Sequence, residues 1–367
     1  MLMIGSSSTG KVIFEWMALA LVLAGCGQDG NYVGFADKRQ VKIDPDKVLV
    51  LGEPDGVRIE TEAAASAIDI LVQDSLLIFS RYAGEYSLAA VNKNTIEDRG
   101  AFIRRGRAPG EVTDLIPLGA VSLERQDGVC RMGYRDATGQ WVFVDLFASF
   151  AAGNPQILGT EAVPTDFQQV FEKEYLGFGR FLGENLVDRQ TRYERSIQGG
   201  GLGKEITPAM ERLNRASVVS ENSGLLFNVL GTVFGYNPEI GRMVEASTIL
   251  NTIHLYDIEG SFARTLYLGE RPEDLDARIS EYQQADDLRK LFRATCVRTF
   301  PGFFAVMNHD ASLNLFNWSG KLLQAVRLEV PAQQFDLDLD GGGLYTLDYQ
   351  TETVWRFDIT SILEKLQ

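Results

Sequence analysis

Residues 254–268 (His-Leu-Tyr-Asp-Ile-Glu-Gly-Ser-Phe-Ala-Arg-Thr-Leu-Tyr-Leu) align without gaps on residues 314–328 (Asn-Leu-Phe-Asn-Trp-Ser-Gly-Lys-Leu-Leu-Gln-Ala-Val-Arg-Leu). Leu, an aromatic residue, Asp or Asn, Gly and a closing Leu recur at the same offsets. Each copy reads as a strand, a tight turn ending in Gly and a second strand. Fainter copies stand at residues 354–359 and 88–92, and the copies at Asn314 and Val354 each follow a further strand, residues 303–307 and 344–347. A unit of this size cannot bury its apolar face alone, so its repetition calls for neighbouring units around a shared core.

A display strand, a turn, a second strand, a turn and an outer strand is the sequence pattern of a propeller blade. The expected fold is all-β: a β-propeller of six blades, each of about four antiparallel strands, over residues 46–367. At roughly 50 residues per blade, the stretch from 55 to 360 holds about six, within the usual range. A β-sandwich is the alternative. An early strand, Lys47–Leu51 or Val57–Glu60, is placed to complete the last blade and remove an open sheet edge. Two segments break the strand rhythm. Residues 271–294 carry Leu275, Ile279, Tyr282, Leu288, Leu291 and Phe292 at helical spacing amid charges, which predicts an inserted amphipathic helix. Residues 196–204 form a Gly-rich loop, with a short helix expected from Thr207. Such insertions collect on one face of a propeller, often the binding face.

The N-terminus reads as an address. Lys11 precedes an apolar run that ends Leu23-Ala24-Gly25-Cys26. This order predicts a signal peptide over 1–25. Trp16 to Gly25 is too short for a bilayer span, which needs about 20 apolar residues. Cys26 is then the lipid-accepting thiol, and residues 26–45, polar and Gly-rich, are expected to be a flexible tether. The remaining cysteines, Cys130 and Cys296, are too few for a disulfide scaffold and are read as buried apolar thiols.

Composition limits the chemistry. Against 35 Lys and Arg stand 50 Asp and Glu, a formal charge of −15, so nucleic acid is not an expected partner and the acidity suits a soluble monomer. Only two histidines occur, His254 and His309, in neighbouring blades. That scarcity argues against a zinc site, a Ser-His-Asp triad or a multi-His metal centre, and no catalytic residue, metal ligand or cofactor is assigned. Asp336-Leu-Asp338-Leu-Asp340-Gly341 opens like a calcium loop, but Leu347 stands where the bidentate Glu belongs. Its alternation with Phe335, Leu337 and Leu339 reads instead as a half-buried strand and turn.

The densest basic patch, Arg104-Arg105-Gly106-Arg107-Ala108-Pro109-Gly110-Glu111, admits two readings. Arg104, Arg105, Arg107 and Glu111 are a candidate anion-binding or carboxylate-binding site on a Gly-rich loop. The favoured reading is a turn between blades: Pro109-Gly110 suits type II, with each Arg paired to nearby acids.

With its Leu-Ala-Gly-Cys lipobox, its Gly106–Glu111 loop and its Tyr256-Asp257-Ile258-Glu259-Gly260 blade ending, the chain resembles the TolB-like six-bladed propeller lipoproteins of Gram-negative bacteria. Ala108 departs from the Gly-x-Gly-Pro-Gly-Glu loop of that group. The resemblance implies a lipid anchor in the cell envelope, at the outer membrane, and leaves activity open. The expected function is therefore an exported, membrane-anchored scaffold that binds an envelope protein or a glycan. The alternative is a carboxylate-dependent hydrolase or lyase acting on glycan or peptide fragments in the propeller channel.

Overall fold

The computed structural model describes residues 32–120, 123–161, 170–177, 180–185, 192–196, 204–205, 228–258 and 261–366. The signal peptide, Cys26, the loop at 197–203 and the helix expected from Thr207 lie outside the described residues.

Short β-branched and aromatic runs punctuated by Gly, Asn and Asp give strands joined by tight turns. The strands assemble into six hydrogen-bonded sheets in which neighbours follow chain order, the pattern of a β-propeller. Five are described with their side chains and pack as blades: 67–104, 123–161, 232–268, 294–328 and 334–358. The strands Val170–Gly177, Arg180–Asn185, Arg192–Ser196 and Lys204–Glu205 pair as a further sheet in which Leu182 is buried. The expectation of six blades is thus corrected to five packed blades. That count divided chain length by a uniform blade of about 50 residues. The blades are shorter than this, and the remaining length lies in an insertion, an N-terminal strap and residues 162–231.

The sequence repeat is a structural repeat in register. Thr252–Asp257 pairs with Ala263–Leu268 with His254 opposite Thr265, and Ser312–Asn317 pairs with Leu322–Leu328 with Asn314 opposite Ala325. The acid-rich segment is a strand and a turn: Gln334–Asp338 pairs with Gly343–Asp348, and Asp338 Oδ1 accepts from Gly341 N at 2.9 Å.

Three of the edges differ from a plain propeller. Lys38–Val41 lies parallel to Ala263–Leu268, and Leu49–Leu51 lies parallel to Leu322–Leu328. Gly56–Ile59 then pairs antiparallel with Thr353–Asp358 and completes the last blade. The closure expected of Val57 is present, whereas Leu49–Leu51 covers the edge of the preceding blade. One strap therefore runs along three consecutive blades. It begins inside the segment expected to be a tether: Val33 and Phe35 are buried, and residues 33–41 belong to the folded body. Gly34 explains how the chain enters. Its φ is +149°, and a Cβ there would meet Thr265 Oγ1 at 2.6 Å, while Phe35 N donates to that same hydroxyl at 2.7 Å.

Sheet-to-sheet contact is apolar around most of the ring. Phe304, Phe316 and Trp318 stack against Val244, Leu255 and Leu266, and Tyr345 and Leu347 meet Ile70, Leu77 and Phe79. At the axis the inner strands are joined by charge. Arg298 Nη2 donates to Asp69 Oδ1 at 2.6 Å and to the Ile70 carbonyl at 2.8 Å. Its Nε lies 3.9 Å from Asp336 Oδ1. Asp69 Oδ2 accepts from Leu118 N at 2.8 Å, and Asp336 Oδ2 accepts from Val72 N at 2.6 Å. Burial raises the Asp336 carboxyl to about 6, with the attraction of Arg298 and two backbone N–H donors opposing it.

Helix α1 (Leu146–Ala152) packs Phe150 on Phe102 with ring centroids 4.7 Å apart, a feature the strand pattern did not announce. The insertion at 271–294 is two short helical pieces, α2 (Leu275–Gln284) and a single 3₁₀ turn (Leu288–Leu291). A terminal helix, α3 (Thr360–Leu366), buries Ile362 and Leu363.

Candidate binding cleft

Each blade's first-to-second and third-to-fourth strand turns lie at one end of the ring, and its second-to-third turns lie at the other. The insertion is on the second end. Asp274 caps α2 by accepting from Ala277 N at 3.0 Å, and Asp287 caps the 3₁₀ turn by accepting from Arg289 N at 3.1 Å. Leu275 and Ile279 drop into the cluster that holds Phe35, Met243 and Tyr256. Glu273 fixes the entry. Its carboxylate accepts from Asn251 N at 2.7 Å and Arg293 Nη2 at 2.8 Å, and it faces Arg278 at 3.1 Å. In return, Glu273 N donates to Asn251 Oδ1 at 2.9 Å. The insertion is therefore clamped at both ends by one acid.

Between this clamp, the strap and three blades lies a cleft of about 900 Å³. Phe292 and Lys290 come from the insertion, Ile43 from the strap, and His309 and Asn314 from the 294–328 blade. The last blade supplies Gln333 and Gln350. Phe292 and His309 lie 6.1 Å apart and also line an adjoining cavity of about 400 Å³ toward the axis. The cleft falls within the size range of small-molecule sites.

The four residues singled out in the sequence do not converge. Arg104 is exposed and ion-paired with Glu85, and Arg107 is exposed. Glu111 serves its own turn: its Oε2 accepts from Ala108 N at 2.9 Å, and its N donates to the Ala108 carbonyl at 3.0 Å. Gly110, at φ +81°, takes the position a type II turn reserves for glycine. Arg105 alone reaches a cavity, one of about 540 Å³ shared with Tyr82, Asp114 and Gln334 on the insertion-bearing end.

The opposite mouth of the axis is a cavity of about 520 Å³ lined by Asp74, Asp336, Asp338 and Asp340. Asp338 pairs with Lys93 at 2.6 Å, Asp74 pairs with Arg125, and Asp336 faces Arg298. Among the described residues, no three His, Cys, Asp or Glu side chains group to hold a metal ion. Reasoning from sequence missed Asn251, Glu273 and Asn314. The available signal was the repeat itself, which sets polar Asn314 at the offset of His254 on a strand with a buried face.

The class of protein that this architecture defines is an all-β propeller with a polar cleft on one end. No family model matches the sequence, and no curated protein matches it. Among solved structures, the WD40 β-propeller domain of Doa1 is similar with a TM-score of 0.41 at 13% identity, covering 80% of this chain and 92% of that one. The RRP9 WD40 repeats are similar with a TM-score of 0.45 at 11% identity, covering 84% of this chain and 98% of that one.

Proposed function

We propose that this chain is an exported scaffold, lipid-anchored through Cys26 at the outer membrane, that binds an envelope partner on the insertion-bearing end of its propeller. The observation that carries the binding reading is the cleft of about 900 Å³ roofed by an insertion that Glu273 clamps in place. A rigid scaffold presenting loop side chains from several blades is how propellers build binding surfaces. Arg105 extends the same end toward the first blade. The chain belongs with the TolB-like lipoproteins on this reading. Binding takes precedence over carboxylate-dependent hydrolysis because three of the four acids at the other mouth, Asp74, Asp336 and Asp338, each face a cation. A glycosidase needs one carboxyl poised as acid and a second as base or nucleophile.

Two measurements test this. Glu273→Ala frees both ends of the insertion, and crosslinked capture of an envelope partner is expected to fall about tenfold while the melting transition stays cooperative; capture equal to wild type removes the cleft from the binding surface. For the anchor, Cys130 and Cys296 are both free and buried, and burial pushes them up to about 11 and about 12. Neither is expected to react with a thiol reagent at pH 8 in the native protein, because the thiolate is the reactive form. After denaturation, a lipidated mature chain releases two thiols. Three thiols, or palmitate labelling that survives Cys26→Ala, refutes lipidation at Cys26.

A further inference from the structure

We infer that the cleft takes a neutral polyhydroxylated ligand, a short saccharide, and that Asn314 at its floor accepts a hydrogen bond from a ligand hydroxyl. This inference rests on the binding reading above and names the ligand class for that site.

The repeat makes the case. In the 232–268 blade, His254 sits opposite Thr265 and meets its hydroxyl, Nδ1 to Oγ1, at 3.1 Å. In the 294–328 blade the equivalent pair is Asn314 and Ala325. Alanine offers no side-chain partner, and Asn314 Oδ1 is left buried without a hydrogen bond in a residue only 1% exposed. A buried polar atom without a partner costs about 1–3 kcal/mol, so its retention calls for a compensating use. Asn314 lines the cleft, so a small turn of its side chain brings the orphan acceptor to a molecule seated there.

The rest of the lining selects the ligand's chemistry. Five carboxamides line the cleft; Asn251 is spent on Leu268, Arg271 and Glu273, but Asn308, Asn314, Gln333 and Gln350 keep donors or acceptors for a ligand. Sugar hydroxyls likewise donate and accept. Charge cancels: Glu273, Asp287 and Asp310 stand against Arg289, Lys290 and Arg293, three against three. Two of these pairs are already closed, Arg289 to Asp287 at 2.9 Å and Arg293 to Glu273 at 2.8 Å, so no excess charge calls an ionic ligand. Phe292 and Ile43, 38% and 39% exposed, supply apolar surface for the C–H face of a sugar ring.

The test uses the full chain in a detergent without a sugar headgroup, titrated by calorimetry with chitotriose, cellotriose and maltotriose. Trigalacturonate and trialanine serve as the anionic and peptide comparisons. At least one neutral trisaccharide is expected to bind at millimolar or lower concentration, with the comparisons weaker. Asn314→Leu is expected to weaken that binding about tenfold or more, while the melting temperature stays level or rises, because the orphan acceptor is gone. Ala325→Thr gives Asn314 an internal partner and is expected to weaken binding as well. Absence of binding by all three neutral sugars overturns the inference, as does tighter binding of trigalacturonate or trialanine, or unchanged affinity in Asn314→Leu. Glu273→Ala separates the two readings: partner capture that depends on Glu273 but ignores all three sugars retains the scaffold and rejects the saccharide.

Discussion

Replacing Arg298 with leucine is expected to cost the fold about 3–5 kcal/mol, the usual consequence of leaving a buried charge without its partner. Arg298 joins three inner strands at once. It is bonded to Asp69 and the Ile70 carbonyl on the first blade and faces Asp336 on the last, while itself belonging to Ala294–Thr299. Both ends of the Arg298–Asp69 pair are more than nine-tenths buried, so neither water nor salt replaces the lost partner. Asp336 gives the effect a pH signature. Its folded value of about 6 lies above the ordinary 3.8, so the folded state binds more protons between those values. Its contribution therefore falls as pH rises through that window. Without Arg298 the carboxyl climbs further, and the variant's deficit against wild type widens above pH 6 and narrows toward pH 4. Urea unfolding at pH 5 and pH 8 checks this. Equal deficits at both values would show that Asp336 does not feel Arg298.

A chain that starts at residue 46, where the composition places the end of the tether, is expected to lose more stability than any single core substitution. That cut removes Val33, Phe35 and the strand Lys38–Val41, together with the 2.7 Å pair between Asp37 and Arg264. Phe35 alone is fully buried, with its ring centroid 5.9 Å from both His254 and Tyr256. Phe35→Ala is expected to cost about 3–5 kcal/mol by itself. Differential scanning calorimetry of the truncated chain and the point variant ranks the two. A truncated chain that melts with the full chain would return residues 33–41 to the tether.

The repeat was legible because it obeys local rules. Leu, an aromatic residue and Gly at fixed offsets give two strands and a tight turn wherever they stand, and the two copies pair in the same register. Phe335, Leu337 and Leu339 likewise announced a strand through their period of two. The strap was not legible. A Gly-rich polar stretch with scattered Val and Phe reads as a tether, and only the groove beside Thr265 turns Phe35 into a core residue. The Arg104–Glu111 patch was legible as a turn: Pro109-Gly110 announced it, and in the fold Glu111 is spent on its own backbone while Arg104 sits in an ion pair outside.

From the sequence alone came the all-β repeat, the place of the insertion and the scarcity of catalytic residue types, since each depends on residues near one another in the chain. The tertiary structure alone decided which polar residues share a surface. Asn251, Glu273, Asn314 and Gln350 lie on four separate turns, strands and insertions, and they meet because the ring brings second-to-third turns of successive blades to one end. The lack of a partner for Asn314, by contrast, is local: the hairpin sets Ala325 opposite it where the earlier blade sets Thr265, and the tertiary structure decided only that this residue opens onto the cleft.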